Sequence, residues 1–138
     1  MPHSATPAAL EGFLELGDSP YIRLTTFRRT GAAVHTPVWV VRDGERLLVT
    51  TVAASGKVKR IAHTGRVQLV ASDVRGELED DAVVFEAEAL IDDAVDVRTV
   101  LDDALTAKYG DRYREIRTAR EARDPESRST ALVLSFAD

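Results

Sequence analysis

The stretch Thr50-Thr51-Val52-Ala53-Ala54-Ser55-Gly56-Lys57-Val58-Lys59-Arg60 carries a strand through a tight connection into a short helix, and the rest of the chain is arranged around it. Arg46 to Val52 is rich in Leu, Val and Thr and reads as a strand. Ser55 stands where an N-cap belongs, with Val58, Ile61 and Ala62 at helical spacing behind it, and Gly65 is expected to close the helix as a C-terminal cap.

The charge of this helix runs against its dipole. A helix N-terminus carries partial positive charge and free backbone N–H groups, so acids are favoured in its first turn. Here that turn holds Lys57, Lys59 and Arg60, and no Asp or Glu occurs from Arg46 through Ser72. One reading is a solvated basic surface helix. The other is an anion site, in which a phosphate takes hydrogen bonds from the Ser55 hydroxyl, the Gly56 and Lys57 backbone N–H groups and the Lys57 ammonium.

Composition narrows the choice. The chain has 138 residues, 44% of them hydrophobic and 30% charged, as expected of one soluble globular domain spanning residues 1–138. No apolar run approaches the roughly 20 residues of a membrane span, and the N-terminus lacks the pattern of a signal peptide, so a cytoplasmic location without membrane contact is expected. The absence of cysteine excludes disulfides, thiolate metal sites and cysteine nucleophiles. His3, His35 and His63 do not stand at metal-ligand spacing, and no metal is expected. Residues 1–72 hold 9 basic and 5 acidic side chains, whereas residues 73–138 hold 9 basic and 18 acidic. With no aromatics interleaved in the basic run, that acidic second half argues against nucleic acid and favours a small polyanion.

Along the chain, residues 1–7 read as a disordered tail and Ala8 to Leu16 as a short helix ended by Gly17-Asp18. Strands are expected over Tyr21 to Phe27, Ala33 to Val41, Arg46 to Val52 and Arg66 to Val74, with Asp43-Gly44 as a hairpin signal. Ala82 to Ile91 alternates strictly and reads as a half-buried strand. Ala94 to Tyr109 places Val97, Val100, Leu101, Ala104, Leu105 and Lys108 on one helical face, with Gly110 as its cap. A charged helix from about Asp111 to Arg123 and a last strand from Ser129 to Phe136 complete the chain. This pattern predicts a mainly β (α+β) fold, a small six- or seven-stranded antiparallel barrel with peripheral helices.

The combination Leu24-Thr25-Thr26-Phe27-Arg28, Gly31, Thr36-Pro37-Val38-Trp39, Asp43-Gly44 and Ser55-Gly56-Lys57-Val58-Lys59-Arg60 resembles the pyridoxamine-phosphate-oxidase-like flavin and deazaflavin oxidoreductases, in particular their actinobacterial branch assigned to coenzyme F420. The resemblance covers residues 20 to 110. It implies an FMN-binding type of split β-barrel, a homodimer with cofactor sites at the subunit interface, and hydride transfer between reduced deazaflavin and an electron-poor small molecule. It also implies that Ser55, Gly56 and Lys57, with Thr50 and Thr51 before them, hold the cofactor phosphate. Thr36, Pro37, Val38 and Trp39 would lie along the ring, with Lys59 and Arg60 near the phosphate or the acidic tail of F420. Related sequences often have another arginine where this chain has Ala62.

The chemistry suits such a ligand, which needs an apolar ledge, polar contacts at one ring edge and an anion clamp. Pro37 lacks a ladder N–H and suits an edge strand, and Trp39 is either the ledge or a core or interface aromatic. Tyr21, Tyr109 and Tyr113 are candidate proton donors but read more readily as packing residues, and no residue is assigned as catalytic. FMN is the alternative cofactor. An FMN-binding oxidase or reductase, and a carrier or sensor binding flavin, deazaflavin or tetrapyrrole without turnover, are the alternative functions.

Overall fold

The computed structural model describes residues 7–137. Seven strands form one antiparallel sheet: β1 (Tyr21–Phe27), β2 (Ala33–Val38), β3 (Val41–Asp43), β4 (Arg46–Val52), β5 (Arg66–Ser72), β6 (Phe85–Asp92) and β7 (Ser129–Phe136). The helices are α1 (Pro7–Glu15), α2 (Gly56–His63), α3 (Val95–Tyr109) and α4 (Asp111–Arg123), with a 3-10 turn over Leu16–Asp18. The expected tail lies outside the described residues, except that Pro7 already belongs to α1.

Strand order β2-β1-β5-β6-β7-β4-β3 puts β2 and β3 at opposite edges of the sheet. Laid flat, seven strands would separate those edges by about 29 Å. Yet only Trp39 and Val40 connect them, a link that reaches about 11 Å at most. The sheet must therefore curl, and the chain is a split barrel of the expected class.

Two cores result. Inside the barrel lie Ile22, Leu24, Leu47, Val49, Val67, Leu69, Leu132 and Leu134, with Phe13, Leu14 and Leu16 from the N-terminal helical segment closing one end. Phe13 packs against Phe136 at 5.3 Å and against Phe85 at 6.2 Å between ring centroids. Outside the barrel, Val97, Leu101 and Leu105 of α3 cover Val41, Leu48, Ala131 and Val133. Because β4 is covered on both faces, Leu47, Leu48 and Val49 read as an unbroken apolar run.

Several sequence expectations need correction. The single strand over residues 33–41 is two strands broken at Trp39-Val40, where α3 supplies the missing partners. The Val40 N–H donates to the Tyr109 hydroxyl at 3.2 Å, and the Val40 carbonyl accepts from Lys108 Nζ at 2.6 Å. Gly65 does not cap α2: the helix ends at His63 and its cap is Thr64 in extended conformation. Gly65 is needed for room instead, since a Cβ there would stand 2.8 Å from the Ala89 carbonyl oxygen. The strand expected from Ala82 begins at Phe85, leaving Val83 and Val84 exposed, and the one expected to reach Val74 stops at Ser72. Gly110 does cap α3, at a φ of 62° that favours glycine, and α4 starts directly after it.

Candidate functional site

The edge strand β2, the end of β4 and the start of α2 converge on a shallow cavity of about 240 Å3, which Arg120 of α4 also lines. Its lining is Pro37, Val38, Trp39, Thr50, Thr51, Val52, Lys57 and Arg120. Six of the eleven residues singled out from the sequence meet here: Pro37, Val38, Trp39, Thr50, Thr51 and Lys57. Thr36, Ser55, Gly56, Lys59 and Arg60 are not in the lining.

Trp39 supplies the apolar wall, and its orientation is fixed from behind. Its indole stacks on Tyr109 with centroids 4.2 Å apart and planes 9° apart, and Tyr113 tilts against it at 6.3 Å. Tyr109 is itself held by its hydroxyl, which donates to the Pro20 carbonyl at 2.8 Å. Trp39 packs on the outer core and also lines the cavity. Pro37 lies on an edge strand opposite Arg23, where a missing N–H leaves no gap in the interior of the sheet.

The cations of the basic stretch are not equivalent. Arg46 is paired with Asp43 at 2.8 Å, and Arg66 lies 3.5 Å from Glu86 and 4.4 Å from the centre of the Phe27 ring. Neither is available to a ligand in the way that the acid-free run of sequence suggests. Arg60 donates from Nε to the buried Thr26 hydroxyl at 2.6 Å, and its guanidinium lies over the first turn of α2. A Cβ on Gly56 would meet Arg60 Nη1 at 2.7 Å, so Gly56 makes room for the arginine.

Lys57 has no hydrogen bond or ion pair among the described residues. Burial and then the neighbouring Arg60 hold its ammonium below the usual lysine range, so the site favours an added negative charge. Ser55 occupies the N-cap position, but its hydroxyl makes no capping bond and lies 3.5 Å from the Thr51 hydroxyl. That leaves the first backbone N–H groups of α2 without a side-chain acceptor from Ser55.

Val52 and Arg120 complete the lining, and Arg120 is the charged lining residue that the sequence did not single out. Its Nε is shielded from solvent and has no acceptor among the described residues. Only the spacing of Tyr113, Arg117 and Arg120 along one side of α4 hinted that this charged helix turns a specific face inward. Arg117 pairs with Asp102 at 2.9 Å and Tyr113 donates to the same carboxylate. Burial and Asp102 push the Tyr113 hydroxyl up to about 12. A second cavity, about 320 Å3, lies over these groups and shares Thr50 with the first.

Fold and cavity together define a split β-barrel in which Trp39 stands beside two cations without partners among the described residues. The chain belongs to the pyridoxamine 5'-phosphate oxidase family, whose profile matches residues 6–137. No curated protein matches the chain in sequence. Among solved structures it is similar to a conserved hypothetical protein of Mycobacterium tuberculosis, with 18% identity, a TM-score of 0.69, and coverage of 98% of this chain and 82% of that one. It is also similar to HutZ, the haem storage protein of Vibrio cholerae, with 13% identity, a TM-score of 0.64 and coverage of 98% and 92%. An FAD-binding protein of Mesorhizobium loti shares 15% identity at a TM-score of 0.63, with coverage of 94% and 88%. At these identities the likeness is one of fold. No helix among the described residues is long and apolar enough to cross a membrane.

Proposed function

We propose that this chain is an oxidoreductase that uses coenzyme F420, with FMN as the alternative cofactor, to reduce an electron-poor small molecule. The observation that carries the reading is the cavity in which the Trp39 ledge stands beside Lys57 and Arg120, with no acid in the lining. Two cations without acceptors among the described residues fit an anion-bearing cofactor, and the stacked Trp39–Tyr109 pair fits a flat ring. When bound, the ring supplies the hydride chemistry. The chain supplies the binding: Lys57 and the free N–H groups of Gly56 and Lys57 take the phosphate, and Pro37, Val38 and Trp39 orient the ring. Thr36, Thr50, Thr51 and Ser55 offer hydroxyl contacts around it. Absorbance of the purified protein, followed by titration with F420 and FMN and assay of hydride transfer to an enone or quinone, tests this reading. Absence of binding to either cofactor would sink it.

The preference for F420 rests on charge beyond the clamp. Lys57 serves the phosphate that both cofactors carry, whereas Lys59 is exposed, makes no ion pair among the described residues and is free to meet additional carboxylates of the F420 tail. Exposed pairs of this kind contribute about 0–1 kcal/mol each and are screened by salt. F420 is therefore expected to bind up to about fivefold more tightly than FMN at low ionic strength, with the gap closing as salt rises. Equal affinities at low salt would remove the preference.

A homodimer belongs to the same reading. The cavity of about 240 Å3 is smaller than the roughly 300–1,000 Å3 that usually encloses a small ligand. A second copy would supply the missing wall. Light scattering at micromolar concentration is expected to give twice the chain mass, and a monomer would count against it.

A second reading, binding of flavin or tetrapyrrole without turnover, draws support from the shared fold of the haem storage and FAD-binding proteins. Neither His35 nor His63 lines the cavity, which favours flavin over haem within that reading.

A further inference from the structure

Helix α4 is weakly anchored for an element of thirteen residues. None of its residues is buried, and its polar links to the rest of the chain centre on Asp102, which holds both Tyr113 and Arg117. Arg120 follows Arg117 by three positions and therefore lies on the same side of the helix. It enters the Trp39 cavity, where its Nε is shielded from water and without an acceptor among the described residues. A guanidinium N–H in that position is unfavourable unless something completes its hydrogen bond. Lys57, from α2, lines the same cavity and also lacks a partner among the described residues. Thr50 and Thr51 also line it, and among the described residues no Asp or Glu does.

We propose that Arg120 is the second cation of this anion site, so that a phosphate held by Lys57 is gripped from the other side by α4 and ties that helix to the barrel. The identity of the ligand rests on the flavin and deazaflavin reading above; the pairing of the two cations rests on the cavity itself. The phosphate sits between α2 and α4. Gly110, which joins α3 to α4 at a φ of 62°, is where α4 can swing if the grip is absent.

Two measurements test this, with FMN and riboflavin as a pair that differs by the phosphate alone. Arg120→Gln is expected to lower the FMN-to-riboflavin affinity ratio by about tenfold, Arg120→Lys to restore part of it, and Arg123→Gln, in the exposed last turn, to leave it unchanged. Hydrogen exchange of residues 111–123 is expected to slow with FMN but not with riboflavin, and to lose that response in Arg120→Gln. If Arg120→Gln keeps the wild-type ratio and the FMN-induced protection, Arg120 is not part of the site, while the flavin reading stands. If neither FMN nor F420 binds the wild type, the cofactor reading falls and saturating inorganic phosphate decides. Phosphate must then slow exchange of α4 in the wild type and not in Arg120→Gln, and failure to do so overturns the proposal.

Discussion

Replacing Lys108 by methionine is expected to lower stability by about 3 kcal/mol, read as a fall of roughly 10 °C in Tm. The Lys108 ammonium donates to three carbonyls at once, those of Gly17 at 2.7 Å, Ser19 at 2.6 Å and Val40 at 2.6 Å. It also lies 5.0 Å from the centre of the Tyr109 ring. Three protons meet three acceptors, and methionine fills much of the volume but leaves each carbonyl without its donor. Those carbonyls belong to the turn before β1 and to the break between β2 and β3, so the loss is felt where the barrel closes.

Burial holds the Lys108 pKa down to about 8, with Asp18 opposing. Between about 8 and the ordinary value of 10.5, the unfolded chain therefore binds more protons than the folded one. The unfavourable part of burying this charge is fully present below pH 8 and lessens as pH rises through that window. The stability gap between wild type and Lys108→Met is expected to widen from pH 8 to 10 in thermal melts. A gap that narrows there would show that the ammonium form is the favoured one in the cradle.

The second large effect is on binding. Lys57→Ala removes a charge-assisted contact worth about 1.5–3 kcal/mol, so the affinity for FMN or F420 is expected to fall ten- to a hundredfold by calorimetry. Riboflavin, which has no phosphate, should bind as before. Stability should move the other way, because in the free protein Lys57 is held below its usual pKa by burial and by Arg60. A variant that melts slightly higher yet binds tenfold or more weakly would mark Lys57 as a residue kept for the ligand. Unchanged affinity would return α2 to the class of solvated surface helices.

What the sequence disclosed followed from local pattern. The strict alternation of β6 read as a half-buried strand, and the structure buries Ala87 and Ala89 while exposing Glu86, Glu88 and Leu90. The α3 face of Val97, Leu101 and Leu105 was equally plain, and Lys108 on that face was the one discordant residue. Its purpose could not be read, because its three acceptors lie far away in the chain. The break at Val40 was hidden for the same reason: Val38, Trp39, Val40 and Val41 have ideal strand character, and only tertiary partners on α3 make the interruption tolerable. At the site, the residues on β2, β4 and α2 were visible as a cluster of motifs. Arg120 was not, since it comes from a highly charged helix in which only the spacing of Tyr113, Arg117 and Arg120 marks an inward face. The acid-free run overstated the free positive charge, because Asp43 and Glu86 reach Arg46 and Arg66 from neighbouring strands.

The pairing of β4 with β7, from Leu47 with Leu134 to Val52 with Ser129, has a consequence for the birth of the protein. During synthesis the β3–β4 hairpin can form as soon as its short turn emerges, but its other edge must wait for nearly all the rest of the chain. Through that interval Leu47, Leu48 and Val49, all wholly enclosed in the finished barrel, belong to an open sheet edge that is apolar on both faces. A nascent chain that stalls before Ser129 exposes a template for strand addition. Fragments ending there should accumulate in aggregates or on chaperones, whereas the full chain, once β7 is out, withdraws that edge.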